Sequence, residues 1–245
     1  MESISLKKTA IVTGVASGMG MYIAKQLAGK GYRVFGADLH DVSIADINCK
    51  ICDVSDEEQV VNYIEDIKKE ERKIDCLINV AGILCFKERN KIENLCSEEW
   101  RKVMDVNLDS VFYMTKYTIP LLKRSSHPSI VNFSSDQVYK IKNKSAPYAV
   151  SKAAIEMLTK ISAKELLEDN IRANSVALAS VETNFIRRIA LDDEKYRQMI
   201  SSADRNMPYG IIKVEDVWNI VNYLISEKCK MTGQNILIDS GTLLQ

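Results

Sequence analysis

Short apolar runs alternate with longer amphipathic stretches along the whole chain. The apolar runs fall at residues 9–13, 33–37, 48–52, 74–79, 129–134, 172–177 and 235–238. Most are rich in β-branched residues and nearly continuous in apolar character, as strands covered on both faces should be. Between them, residues 18–28, 57–70, 98–122, 148–167, 193–203 and 215–226 carry the pattern of helices. This alternation predicts an α/β fold with a doubly wound parallel sheet of about seven strands. Residues 38–53 leave too little room for a crossover helix, so a short turn or stub is expected there. Residues 178–213 form the longest stretch without a clear period, and such insertions are often substrate loops.

A chain of 245 residues suits one large domain over residues 1–245, and no linker divides it. Lysine plus arginine equals aspartate plus glutamate, 33 each. That balance gives no long-range reason to expect nucleic acid or an anionic membrane as partner. The first residues lack a signal pattern, and no apolar run approaches the ~18 residues of a membrane span. Cysteines are scattered at positions 49, 52, 76, 85, 96 and 229, several inside apolar runs. A reduced, cytoplasmic protein is expected. Cys49 and Cys52 have the spacing of half a zinc site, but no second pair follows, so no metal is expected.

Thr13-Gly14-Val15-Ala16-Ser17-Gly18-Met19-Gly20 directly follows the first strand and opens the first helix. Glycines there permit a tight turn and let backbone approach a pyrophosphate at the positive helix end. Asp38 ends the second strand, where a carboxylate can accept from an adenosine ribose and repel a 2′-phosphate. Neither Ser17 nor Leu39 supplies a cation for such a phosphate, so NAD is expected rather than NADP.

Tyr148 and Lys152 stand four residues apart on one helix face. A phenol with a pKa near ~10 needs help to exchange protons at neutral pH, and a neighbouring cation supplies it. Tyr209 and Lys213 share the spacing. The first pair is distinguished by Ser135 upstream, at the end of an apolar strand.

Together these features resemble the short-chain dehydrogenase/reductase family over residues 9–241. Residues 13–20 match its cofactor turn, Asp53-Val54 its adenine-contacting pair, and Asn79-Val80-Ala81-Gly82 the motif after its fourth strand. Asn107, Ser135, Tyr148 and Lys152 fit its four catalytic positions in order. Thr232-Gly233-Gln234 and Asp239-Ser240-Gly241 are similar to its C-terminal strand. The resemblance implies a single-domain Rossmann fold and hydride transfer between NAD and a secondary alcohol or ketone. Tyr148 would be the acid/base, and Lys152 would hold the nicotinamide ribose and depress the tyrosine pKa. Ser135 would bond the substrate oxygen, and Asn107 would hold a water linking Lys152 to solvent. Gly14, Ser17, Gly18, Met19, Gly20, Asp38, Leu39, Asp53, Val54, Asn79, Ala81, Gly82, Val181 and Thr183, with Tyr148 and Lys152, would line the cofactor.

One departure stands out. The family usually has Pro-Gly after its sixth strand, where this chain has Leu178-Ala179. Ser240 also replaces a usual glycine. The short 38–53 connection, the Ser134-Ser135-Asp136 run and the Ser240-Gly241-Thr242 ending look like the 2,3-dihydro-2,3-dihydroxybenzoate dehydrogenase branch. A wall from residues 83–91, 136–141 and 185–207, with Phe185, Ile186, Ile189, Met199, Arg187, Arg188 and Arg205, would suit a small ring bearing an acidic group. Alternatives are a 3-oxoacyl-thioester reductase and a catalytically silent NAD-binding regulator. A homotetramer is expected, since the outer faces of helices 98–122 and 148–167 are read as carrying Val111, Met114, Ile155 and Leu158.

Overall fold

The computed structural model describes residues 7–85, 87–183 and 192–245. Among them, seven strands form one parallel sheet: β1 Thr9–Thr13, β2 Arg33–Asp38, β3 Ile47–Ile51, β4 Cys76–Asn79, β5 Ser129–Ser135, β6 Arg172–Leu178 and β7 Asn235–Ile238. Their spatial order is β3-β2-β1-β4-β5-β6-β7. The order reverses between β1 and β4, which opens a crevice at the carboxyl ends of those strands.

The inner strands bury both faces, and the edge strands β3 and β7 are only partly covered. In β1, Ala10 and Val12 belong to one apolar layer and Ile11 to the other. The first layer joins Ile23 and Leu27 of α1 (Gly18–Gly29) to Val217 and Val221 of the last helix, α7 (Val214–Leu224). The second gathers Ile64 and Ile67 of α2 (Glu57–Glu70) with Met114 and Leu121 of α4 (Ser110–Leu122). α2 starts where the Asp56 carboxylate accepts the Glu58 and Gln59 amides, a side-chain N-cap. As expected, no helix separates β2 from β3. The chain turns through an Ile44–Ile47 bridge instead.

The stretch 98–122 is not one helix. It divides into α3 (Ser97–Met104), a π-turn over Asp105–Asp109, and α4. The π-turn inserts an extra residue into the helical ladder, a device common at functional sites. α5 (Ala146–Glu165) and α6 (Asp193–Arg205) complete the helices named here.

The outward faces also differ from expectation. Val111, Met114 and Ile155 are 2%, 0% and 1% exposed, so they belong to the core, and Leu158 is half-buried. The apolar residues that α4 and α5 present outward are Phe112, Val150, Met157 and Ile161. Both helices are apolar on more than one side, and periodicity alone does not tell which stripe meets the sheet.

β6 continues through Leu178, beyond the expected end at 177, and the Ala179 amide donates to the Ile238 carbonyl at 3.1 Å. Proline at 178 would have no N–H, so leucine there suits a longer strand. Ser240 adopts φ of +53°, the left-handed region that glycine occupies without strain. Its Oγ donates to the Gly210 carbonyl at 2.7 Å.

Candidate active site

A cleft of about 420 Å³ opens at the carboxyl ends of the strands. The glycine turn forms one end, and Ser135, Tyr148 and Lys152 the other. Gly14, Ser17, Gly18, Met19 and Gly20 all line it. The Gly14 amide donates to the Ala37 carbonyl at 2.8 Å, tying the turn to β2. A Cβ on Gly20 would lie 2.1 Å from the Gly14 carbonyl oxygen, so no side chain fits there. The turn and the α1 N-terminus together leave a cradle of backbone N–H groups suited to a phosphate.

Asp38 lines the cleft at the end of β2. Its Oδ2 accepts from the Ala16 amide at 2.9 Å, and its Oδ1 from the His40 amide at 3.1 Å. His40 Nδ1 also lies 3.0 Å from Oδ1. Leu39, mostly exposed, and buried Val54 flank this pocket. Asp53 lines it too, though its Oδ1 accepts from the Ser55 amide and hydroxyl at 2.9 and 2.6 Å. Thr13 Oγ1 accepts from the Val80 and Ala81 amides, both at 3.0 Å, which fixes Ala81 and Gly82 on the cleft wall.

Asn79 is the exception among the expected cofactor residues. Its side chain does not reach the cleft. It donates to Asn132 Oδ1 at 2.9 Å, and Asn132 donates to Thr159 at 3.0 Å, within the sheet and α5. Strand alternation explains this, because Asn79 ends β4 facing its neighbour while the next residues turn into the crevice.

At the chemical end, Tyr148 and Lys152 lie in the first turns of α5, with Lys152 Nζ 5.7 Å from the Tyr148 ring centroid. Nζ donates to the Phe133 carbonyl at 2.8 Å. Ser135 closes β5 and hydrogen-bonds the Tyr148 phenol. Its Oγ also donates to Asp136 Oδ1 at 3.2 Å and accepts from the Gln137 amide at 3.2 Å. Burial pushes the Tyr148 pKa up to about 12, against the Ser135 hydrogen bond that lowers it. Burial likewise pulls Lys152 down to about 8. Burial, with the Asp136 carboxylate adding to the rise, holds the phenol high, so the expected lowering by Lys152 does not prevail here.

Asn107 sits fully buried on the π-turn. Its Nδ2 donates to the Ile83 carbonyl at 2.9 Å and Ser151 Oγ at 3.0 Å, and its Oδ1 accepts from the Ile83 amide at 2.8 Å. A Cβ on Gly82 would stand 3.1 Å from that Oδ1 and 3.5 Å from Lys152 Nζ. Glycine here lets the Asn107 and Lys152 side chains approach the cleft wall together. Beyond β6, Val181 bridges to Ile212, and Val181 and Thr183 line the cleft over Gly18. The substitution of Leu178-Ala179 for Pro-Gly thus leaves both residues beside the crevice.

Of the expected substrate wall, Ile83, Leu84, Arg89, Asp136, Gln137, Met199 and Ala203 line the cleft, while Arg205 is exposed at the end of α6. Phe185, Ile186, Arg187, Arg188 and Ile189 lie outside the described residues. Sequence reasoning missed the Ala16 and His40 bonds to Asp38. Only His40, two residues past Asp38, left a local signal.

A family model described as enoyl-(acyl carrier protein) reductase matches residues 14–242. The chain belongs to the short-chain dehydrogenase/reductase family. It is 30% identical to 3-oxoacyl-(acyl-carrier-protein) reductase of Thermotoga maritima, over 97% of this chain and 98% of that one. It is 29% identical to 2,3-dihydro-2,3-dihydroxybenzoate dehydrogenase of Bacillus subtilis, over 97% and 96%. The solved aldohexose dehydrogenase of Thermoplasma acidophilum superimposes with a TM-score of 0.92 at 34% identity, covering 98% of this chain and 95% of that one. The family's members are oxidoreductases that use a nicotinamide cofactor. No helix among the described residues is long and apolar enough to cross a membrane.

Proposed function

We propose that this oxidoreductase uses NAD(H) to interconvert a secondary alcohol and a ketone on a small cyclic substrate. The observation that carries the reading is the meeting of Ser135, Tyr148 and Lys152 at one end of a cleft whose other end is the glycine cradle and Asp38. The cradle fits a dinucleotide, since its turn closes so tightly that a Cβ at Gly20 would collide with the Gly14 carbonyl, as a glycine-rich phosphate turn requires. When bound, the nicotinamide supplies the hydride acceptor or donor.

The residues then divide the work. Gly14, Gly18 and Gly20 give the pyrophosphate close backbone approach. Asp38, Leu39, Asp53 and Val54 enclose the adenosine, with Ala81, Gly82, Val181 and Thr183 along the rest of the cofactor. Ser135 Oγ holds the substrate oxygen. In oxidation Tyr148 takes the hydroxyl proton as the carbinol hydrogen leaves as hydride; in reduction it returns a proton to the carbonyl oxygen. Lys152 binds the nicotinamide ribose and favours the phenolate. Asn107 holds the water through which that proton reaches solvent.

Asp38 favours NAD over NADP, because its carboxylate would repel a 2′-phosphate. Two relatives named above act, by their names, on a sugar or a dihydrodiol ring, which supports a cyclic substrate. The Thermotoga relative supports the second reading, a 3-oxoacyl-thioester reductase. Outward Phe112, Val150, Met157 and Ile161 support assembly into a homotetramer. The deciding experiment follows formation or loss of reduced nicotinamide with NAD and NADP against cyclic alcohols, dihydrodiols, hydroxysteroids and an acetoacetyl thioester. Turnover of cyclic alcohols with NAD is expected. Thioester reduction with NADPH alone would replace this reading with the second.

A further inference from the structure

We infer that Asp136 and Gln137 form a hydrogen-bond-accepting wall that selects a ring with a hydroxyl beside the reacting carbon, so that the substrate is an uncharged cyclic polyol or sugar. The inference rests on the oxidoreductase reading above and gives its cleft a substrate class.

Both residues follow Ser135 in a single 3-10 turn, Asp136–Val138, and both line the cleft. They are 6% and 7% exposed. Gln137 Oε1 is buried and has no hydrogen-bond partner among the described residues. The Asp136 carboxylate receives one side-chain bond among them, at 3.2 Å from Ser135 Oγ. Buried acceptors with unused lone pairs are costly until a donor arrives. A ligand that completes them must bring O–H or N–H groups.

The placement fits a vicinal diol. Ser135 Oγ is the contact for the reacting oxygen, and Asp136 Oδ1 lies one hydrogen-bond length beyond it. Gauche oxygens on neighbouring carbons are separated by a similar distance, so one can sit on Ser135 while the next donates to Asp136. Gln137 extends the wall to a further hydroxyl.

The charges around the turn disfavour an anionic ring. Arg89 lines the cleft, but its guanidinium donates to the carbonyls of Lys144 and Asn143 at 3.0 and 3.2 Å. Lys140 Nζ donates to the Thr242 carbonyl at 2.8 Å. Lys142 is an exposed lysine at the mouth. A ring carboxylate would thus meet the Asp136 carboxylate, whose charge Lys142 and Lys140 already offset, while the Arg89 guanidinium is held in place by its two carbonyls. A plain acyl chain fares no better, because it leaves the Gln137 oxygen without a donor and brings none to Asp136. Sites built to bond a substrate hydroxyl discriminate strongly against analogues that lack it.

The test uses the purified full chain with NAD and paired probes: cyclohexane-1,2-diol against cyclohexanol, and D-glucose and D-mannose against 2-deoxy-D-glucose. Acetoacetyl-pantetheine with NADH is the acyl probe. In the wild type, kcat/KM for the better hydroxylated member should exceed its deoxy partner by about tenfold or more. In Asp136→Ala and Gln137→Leu, that ratio should fall toward one. If either variant fails to fold, the wild-type ratios alone decide. Equal kcat/KM within the pairs, or a preference for the thioester, overturns the acceptor wall and leaves the oxidoreductase reading standing. A ratio unchanged in both folded variants also overturns it. No turnover of any probe by the folded protein overturns both.

Discussion

The Asp38 carboxylate accepts the Ala16 amide at 2.9 Å, so the end of β2 is fastened to the middle of the glycine turn. One side chain thus holds the loop proposed to meet the phosphates and faces the place proposed for the ribose. Catalytic efficiency with NAD should exceed that with NADP at least about tenfold, a difference of roughly 1.4 kcal/mol. Asp38→Ala should weaken NAD and narrow the ratio. It should also loosen the turn, which hydrogen exchange at the Ala16 amide would report. Comparing kcat/KM for both cofactors in the two proteins checks this, and an unchanged ratio removes Asp38 from the role.

Tyr148→Phe should lower turnover by roughly 10²-fold or more while NAD affinity, read by calorimetry, stays within a few-fold. The change removes only the phenol hydroxyl. Tyr209 is 89% exposed, and no helix joins it to Lys213, so Tyr209→Phe is the matched control and should be silent. Retained activity in Tyr148→Phe would mean that another group carries the proton.

Burying Lys152 has a signature in stability. Burial holds its folded pKa at about 8, below the ordinary lysine value of 10.5. Between those values the unfolded chain binds the extra proton, so this group makes stability rise with pH there. Below pH 8 both states are protonated and the cost of the buried ammonium stands in full. Lys152→Met should therefore gain stability relative to wild type at pH 7. That relative gain should shrink by up to about 3 kcal/mol as pH approaches 10.5. Urea unfolding of both proteins across that range isolates the difference from other titrations. A pH-independent difference would show that Lys152 is not desolvated as described.

Gly82→Ala would place a methyl 3.1 Å from Asn107 Oδ1 and 3.5 Å from Lys152 Nζ. The 3.5 Å approach to Lys152 is ordinary contact, so the crowding falls on Asn107, which three hydrogen bonds hold in place. Turnover is expected to fall about tenfold or more with a stability loss of about 1–2 kcal/mol, typical of modest overpacking. Stopped-flow and thermal melts separate the two effects. Full activity would place Asn107 away from the rate-determining geometry.

Outward Met157 and Ile161 lie one turn apart on α5. If the helix pairs across a two-fold axis, Met157→Asp puts like charges against each other at the seam. Sedimentation should show a homotetramer for wild type and smaller species for the variant. A wild-type monomer at micromolar concentration would rule out the assembly.

Much of this was legible because each strand had its own apolar run and the cofactor turn sat between a strand and a helix. The limits were physical. The π-turn at Asp105–Asp109 adds one residue to a helix without breaking its apolar rhythm, so 98–122 read as continuous. α4 and α5 offer apolar side chains in several directions, and Val111, Met114 and Ile155 were placed outside when they pack inside. Asn79 matched a motif by order, while its side chain follows the pleat toward Asn132. The Ala16–Asp38 bond and the unpaired Gln137 oxygen depend on tertiary approach, to which no local pattern speaks.

The glycine turn and the end of β2 differ in how freely they can change over evolutionary time. At Gly20 any side chain collides with the Gly14 carbonyl, so drift at that position is closed. Past Asp38 the chain emerges into solvent at Leu39 and His40, where many residues can be accommodated. Under the proposed cofactor reading, descendants of this sequence could therefore shift between dinucleotides by substitutions at 39 and 40 while inheriting the phosphate cradle unaltered, whereas a change at 38 would also release the Ala16 amide that braces the turn.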